Sequence, residues 1–253
     1  MWSHERHQLI AEKLRLQRRI AVDGLAQELG VSRETVRRDL LDLEQAGLLR
    51  RVHGGAVLAE LQPEDPFPSR QQTRRAEKTA IARATLPLLR PGETCFIDAG
   101  STTALLAVEM ARIGGLMVIT NSLDVAQTLR SQRTGHQTML LGGALLPDIP
   151  GTSGEATMAE LMRYSADVAI ISPMGIDAQR GATNFMMQEA EIARLMIRQS
   201  RRCIMLADHS KLGLVSRIQI CGSRDITTLV TDHAGGDQAA LFANDCQVVV
   251  AES

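Results

Sequence analysis

Residues 31–56 read VSRETVRRDLLDLEQAGLLRRVHGGA, and the order of apolar and basic positions in this stretch decides how the amino-terminal end folds. At about 100° per residue, Val36, Leu40 and Leu43 fall on one stripe of a helix that begins near Arg33. Ser32 is placed to cap that helix, and Gly47 to stop it after about Ala46. Glu34, Arg38 and Leu41 point the opposite way, with Thr35 and Arg37 on the shoulders. One stripe is therefore committed to a core. The other face gathers Ser32, Arg33, Thr35, Arg37 and Arg38 within two turns of the helix start, the part that a recognition helix pushes into a major groove. Arginine suits that position because its planar fork pairs with guanine edges and its charge neutralises phosphates. The following segment, LLRRVHGGA, alternates like a short hairpin strand and closes on two glycines, which puts Arg50, Arg51 and His53 beside the same groove. The expected partner is double-stranded DNA. The competing reading is a solvated helix face on which Arg37 and Arg38 pair with Glu34, Asp39 and Asp42.

Upstream, Leu9, Ile10, Leu14 and Leu16 recur among charges from about Ser3 to Arg19, as in an amphipathic helix. Ile20 to Val22 form a short apolar step, and Asp23 is a suitable N-cap for a helix that runs to Leu29 and closes at Gly30. Three helices and a wing fit within residues 1–58. Pro63, Pro66 and Pro68 in LAELQPEDPFPS then predict an extended linker over 59–69, leaving 70–253 for a second domain.

Totals set outer limits. The 253 residues are 44% hydrophobic and 23% charged, with no apolar run near the roughly 20 residues that a membrane helix needs. No secretory h-region opens the chain, so a cytoplasmic location is expected. The formal charge is −1, and through Arg75 there are 13 Lys and Arg against 11 Asp and Glu, so DNA binding must come from placement and not from bulk charge. Aromatic residues at 2% disfavour single-strand binding by base stacking. Cys95, Cys203, Cys221 and Cys246 lack metal or redox spacing and read as reduced core thiols, while Met158, Met162, Met186, Met187 and Met196 read as packing residues. Neither a metal nor a cofactor is expected.

Beyond the linker, a helix over about 70–89 precedes alternating strand-like and helix-like runs: TCFIDA, TTALLAVEMARI, LMVIT, DVAQTL, and so on through SRIQIC, ITTLVT and CQVVVA. That alternation predicts an α/β domain built on a mostly parallel sheet with helices on both faces. Ligands of such sheets bind at the carboxyl ends of the strands. In FIDAGSTT, Asp98 is followed by Gly100, Ser101, Thr102 and Thr103, where a close backbone approach, a helix start and three hydroxyls accommodate an anion. The other strand ends carry Thr120 and Asn121, Gly142 and Gly143, and Asp208 to Lys211. Lys211 and the hydroxyls would serve a phosphate, and Asp98, Asp177 and Glu189 would serve sugar hydroxyls. Each has a plainer role available: Asp177 can cap a turn, Glu189 can pair on its helix, and Lys211 can be solvated. His209 reads as a satisfied loop histidine outside the site.

The sequence resembles the DeoR/GlpR-type bacterial transcription regulators. Residues 31–56 match the family's amino-terminal signature, and the resemblance continues through EKTAIAR, FIDAGSTT, ITNS, LLGG, GID, EAEIARLMI and LADHSKLG. It implies a winged helix-turn-helix joined to a sensor domain similar in fold to ribose-5-phosphate isomerase, with a phosphorylated sugar or related metabolite as effector. A repressor is the expected role, and a homo-oligomer is expected because helix-turn-helix units usually work on paired half-sites. Leu212 replaces a usual phenylalanine, and Ser172, Pro173 and Met174 precede Gly175 where glycine is more common. An isomerase with a DNA-binding tether is the alternative, but Asn184, Phe185, Met186 and Met187 replace the glycine-rich loop of that enzyme. RNA binding is weaker still, because no RNA-type signature is present.

Overall fold

Helix α1 (Ser3–Gln17) and strand β1 (Arg19–Ala21) open the chain, followed by α2 (Val22–Leu29), α3 (Arg33–Gln45), β2 (Leu49–Val52) and β3 (Gly55–Leu58). The computed structural model describes residues 2–17, 19–45, 49–58 and 65–252. The Arg50 side chain, the helix stop expected at Ala46 and Gly47, and residues 59–64 of the expected linker lie outside the described residues. The chain divides into two units, Met1–Gln62 and Pro63–Ser253.

In the first unit, Ile10, Leu14, Ile20, Val22, Leu25, Val36, Leu40, Leu43, Leu49 and Ala56 form one buried cluster. Full burial of a side chain such as Leu40 stabilises by about 1.5–3 kcal/mol, so this stripe sets the buried side of α3. Leu9 stays out of it, at 45% exposure. Ile20 lies on a true strand: β1 pairs with β3, and β3 with β2, all antiparallel. The expected Asp23 cap is replaced by Ala21 in the N-cap position with no side-chain bond. Asp23 instead sits in the first turn of α2, where the helix dipole favours an acid. Gly30 ends α2 at φ 65°, ψ 31°, a left-handed conformation that suits glycine. Gly55 has a different constraint, since a Cβ there would run into the Ile20 carbonyl of the neighbouring strand.

The first helix of the second unit is α4 (Phe67–Gln72), whose first three residues lie in the stretch expected to be extended. Pro68 lies in its first turn, where a missing N–H costs nothing, and Phe67 packs with Ala104, Leu146 and Ile149. The helix expected over 70–89 is broken at Arg74, whose φ of 51° precedes α5 (Arg75–Thr85). There follow β4 (Thr94–Ile97), α6 (Ser101–Glu109), β5 (Met117–Thr120), α7 (Leu123–Ser131), β6 (Gln137–Leu140), β7 (Ala144–Leu145), β8 (Thr152–Ser153) and α8 (Glu155–Leu161). Then come β9 (Ala166–Ile171), β10 (Gly175–Asp177), β11 (Gly181–Asn184), α9 (Met187–Arg198), β12 (Ser200–Leu206), β13 (Ile218–Cys221), β14 (Thr228–Thr231), α10 (Gly236–Ala239) and β15 (Gln247–Val250).

Seven strands form the main sheet in the order β15-β14-β12-β9-β4-β5-β6, and every adjacent pair is parallel. Successive residues alternate between its faces: Phe96, Ala169 and Met205 join α9 in one apolar layer, while Cys95, Ile97, Val168, Ile170 and Ile204 join α5 and α6 in the other. SRIQIC does not enter this sheet. Its strand β13 pairs antiparallel with β11, which also pairs with β10 in a hairpin. Cys95, Cys203 and Cys221 are buried free thiols, and burial pushes Cys95 and Cys221 up to about 12. Met196 is buried as a packing residue, but Met162 and Met187 are 57% and 50% exposed.

Candidate DNA-binding and effector sites

Helix α3 presents the expected face. Ser32 Oγ accepts from the Thr35 amide at 3.1 Å and lies 2.8 Å from Thr35 Oγ1, so the cap organises the first turn. Arg33, Arg37 and Arg38 are all exposed. Arg33 Nε reaches Asp23 at 2.8 Å and Arg37 Nη1 reaches Glu34 at 3.4 Å, while Arg38 has no hydrogen bond or ion pair among the described residues. Exposed pairs of this kind contribute about 0–1 kcal/mol, so a phosphate can displace them. Asp39 is not one of these partners. It is buried, taking Arg6 Nε at 2.8 Å and Nη2 at 2.9 Å, with His7 Nε2 at 3.1 Å. Burial raises its pKa, but the hydrogen bonds from Arg6 and His7 outweigh that and hold the carboxyl below its ordinary range. Arg51 is bound to α3: its amide and Nε both donate to Glu44, each at 2.7 Å. His53 is exposed at the hairpin turn beside Gly54, whose φ is 78°.

In the sheet, parallel pairing brings the carboxyl ends of β4, β5, β6, β9, β12 and β14 to one edge. Asp98, just after β4, is buried and accepts from the Ser172 amide at 3.2–3.3 Å, linking it to the end of β9. A Cβ on Gly100 would lie 3.5 Å from Ser172 Cβ, so these two turns are in contact. Lys211 Nζ donates to the Pro173 carbonyl at 2.6 Å and so reaches the same junction. Gly100 gives α6 no side-chain cap. The Thr103 hydroxyl donates to the carbonyls of Asp98 and Gly100, leaving it no hydrogen for an anion, whereas Thr102 Oγ1 is buried with no hydrogen-bond partner among the described residues.

Next along the edge, Thr120 Oγ1 donates to the Ile97 carbonyl at 2.6 Å. Asn121 Nδ2 donates to Thr152 O at 3.0 Å, and its Oδ1 is buried with no hydrogen-bond partner among the described residues. Gly143, at φ 147°, has its open side filled by Thr157 and Ser153. Asp177 caps its own hairpin through the amides of Gln179 and Arg180, both at 3.0 Å. Glu189 accepts from Asn184 Nδ2 at 3.0 Å. His209 donates its amide to Asp232 at 2.6 Å and places Nδ1 at 2.8 Å from the same carboxylate.

Lys78 is the residue that sequence reasoning missed at this edge. On α5 and only 4% exposed, it donates to Ser101 Oγ at 3.0 Å and to the Arg70 carbonyl at 2.6 Å. Arg74 Nε lies 3.7 Å from buried Asp208. Burial raises the Asp208 pKa, but the charge of Lys211, the Ser210 hydrogen bond and the charges of Arg74 and Lys78 bring it below the ordinary range. Three cations thus converge on the helix start after β4 and the loop after β12. Two surface clefts lie elsewhere: one of about 480 Å³ beside Met158, Met162 and Ile192, the other beside Arg194, Arg198 and Asp225. No helix among the described residues is long and apolar enough to cross a membrane.

Comparison with known proteins covers both units. A DeoR-like helix-turn-helix domain matches residues 6–62, and a DeoR C-terminal sensor domain matches residues 73–233. The glycerol-3-phosphate regulon repressor of Escherichia coli (strain K12) is 32% identical over 90% of each chain. The HTH-type transcriptional repressor GlcR of Bacillus subtilis (strain 168) is 34% identical over 92% of this chain and 90% of its own. Among solved structures, ribose 5-phosphate isomerase A of Methanocaldococcus jannaschii aligns with a TM-score of 0.41 at 14% identity over 55% of each chain. With a helix-turn-helix and a sensor domain matched in chain order, and repressors related along nine-tenths of its length, the chain belongs to the DeoR family of DNA-binding transcriptional regulators.

Proposed function

We propose that the chain represses a carbohydrate-metabolism operon and that a phosphorylated sugar or related metabolite sets its affinity for operator DNA. Residues 1–58 are the DNA-binding domain, 59–69 the linker and 70–253 the sensor. Arg33, Arg37 and Arg38, with Ser32 and Thr35, meet the major groove, and Arg50, Arg51 and His53 meet its flank. In the sensor, the phosphate lies against Ser101, Thr102, Lys78 and Lys211, and Asp98, Asn121, Asp177 and Glu189 are the candidates for sugar hydroxyls. Thr103, Thr120 and Gly143 shape the turns around them. The carrying observation is geometric: the buried Lys78 Nζ donates to Ser101 Oγ at 3.0 Å at the start of α6, where Gly100 supplies no side-chain cap, so a cation, a hydroxyl and a helix amino terminus converge in an arrangement that favours an anion. The protein works in the cytoplasm as a homo-oligomer on paired half-sites, as helix-turn-helix regulators usually do. It does not turn over the effector.

The effector acts by binding the DNA-competent and DNA-incompetent states unequally. The test is an anisotropy titration of the purified protein on a duplex that it enriches from a random-sequence pool, repeated with a panel of phosphorylated sugars and glycerol phosphates. An effector-dependent change in operator affinity with the sugar phosphate recovered unchanged is the expected result. No response across the panel, or appreciable isomerisation, defeats the reading.

A further inference from the structure

Asp39 stands next to Arg37 and Arg38 in sequence, yet the fold turns it away from both. Its side chain is 4% exposed and is bound by two neighbours on α1, the fork of Arg6 and the ring of His7. The apolar stripe Val36, Leu40 and Leu43 sets the buried side of α3, but apolar burial is non-directional. A bidentate guanidinium–carboxylate pair is directional, and it fixes the helix about its own axis. At a helix surface of roughly 5–6 Å radius, a rotation of about 20° moves an outward group by about 2 Å. That displacement spoils a two-point contact with a base edge while leaving a long-range phosphate attraction almost intact.

We infer that Asp39, gripped by Arg6 and His7, is a positioning residue for DNA recognition: it sets the rotation of α3 and so aims Arg37 and Arg38. The inference rests on the DNA-binding reading of α3. Asp39 itself touches no nucleic acid, so its role is visible in sequence discrimination and not in charge.

Asp39→Asn and Arg6→Lys in the full-length protein test this, the second keeping the positive charge while losing the fork. Affinity is measured for the duplex enriched by the parent protein and for a scrambled duplex of equal composition, at several salt concentrations, with the folded fraction followed by circular dichroism. Both variants should lose about tenfold or more for the enriched duplex, hold the scrambled duplex within about twofold, and keep the salt slope of the parent. If Asp39→Asn does not fold, Arg6→Lys decides the matter alone. Equal losses on both duplexes, losses accounted for by the unfolded fraction, or unchanged discrimination overturn the proposal. A parent protein that enriches no sequence overturns the DNA-binding reading, and the positioning role with it.

Discussion

In the amino-terminal unit the arginines of α3 point to solvent, and among the described residues Asp39 is the one buried charge. In the carboxyl-terminal unit the pattern is inverted: Lys78, Asp98, Asp208 and Asp232 are all buried, four charges gathered along one edge of a parallel sheet. Ions withdrawn from water cost free energy unless paired, so a fold keeps them for a reason. If the proposed function holds, the contrast matches ligands of different size. The duplex then meets the exposed arginines of α3, whose weak surface pairs can be exchanged for phosphates. The small anion then meets groups that already hold one another in place, such as Lys78 on Ser101.

The strongest way to break this comparison is Lys78→Met. If Lys78 holds the effector, removing its charge should cost about 2–5 kcal/mol of effector binding, seen as a shift of tens-fold or more in the concentration that alters operator binding. Affinity for the duplex without effector should be unchanged. Leu40→Ala makes the complementary cut. It should destabilise the amino-terminal unit by about 2–5 kcal/mol, so hydrogen exchange should speed up over residues 19–45 and stay at its parental rate in β4, β9 and β12. Arg38→Ala sharpens the outward half of the contrast. A base-reading arginine loses about 1–3 kcal/mol of specific binding, whereas a purely solvated side chain would leave operator affinity at the parental value. The smallest effect is expected for Ser32→Ala, which removes the α3 cap and should lower the stability of that unit by about 1 kcal/mol in urea unfolding.

The legible parts of the sequence were those with a period or a stop signal. The stripe Val36, Leu40, Leu43, the Ser32 cap and the Gly30 terminus appear in the structure as read, because 3.6-residue spacing and capping chemistry are local properties. The alternation of strands and helices similarly placed the main sheet. Strands β10 and β11 escaped because three or four residues around glycines carry no measurable alternation. Proline chemistry misled at Phe67, since Pro68 is tolerated in a helix's first turn. Lys78 was invisible for another reason: a lysine on an amphipathic helix looks the same whether it is solvated or buried, and the helix that buries its head is fixed by tertiary packing alone. Asp39 illustrates the opposite hazard. Its sequence neighbours are arginines, but its true partners lie more than thirty residues away.

The uniform direction of the seven-stranded sheet carries a consequence for how such regulators diversify. Strands β4, β5, β6, β9, β12 and β14 each send their own following segment to the same rim, and no segment there is shared by two strands of the sheet. If the effector binds at this rim as proposed, a descendant can change effector by rewriting one rim segment at a time, while the opposite rim and the apolar layers between them keep folding as before.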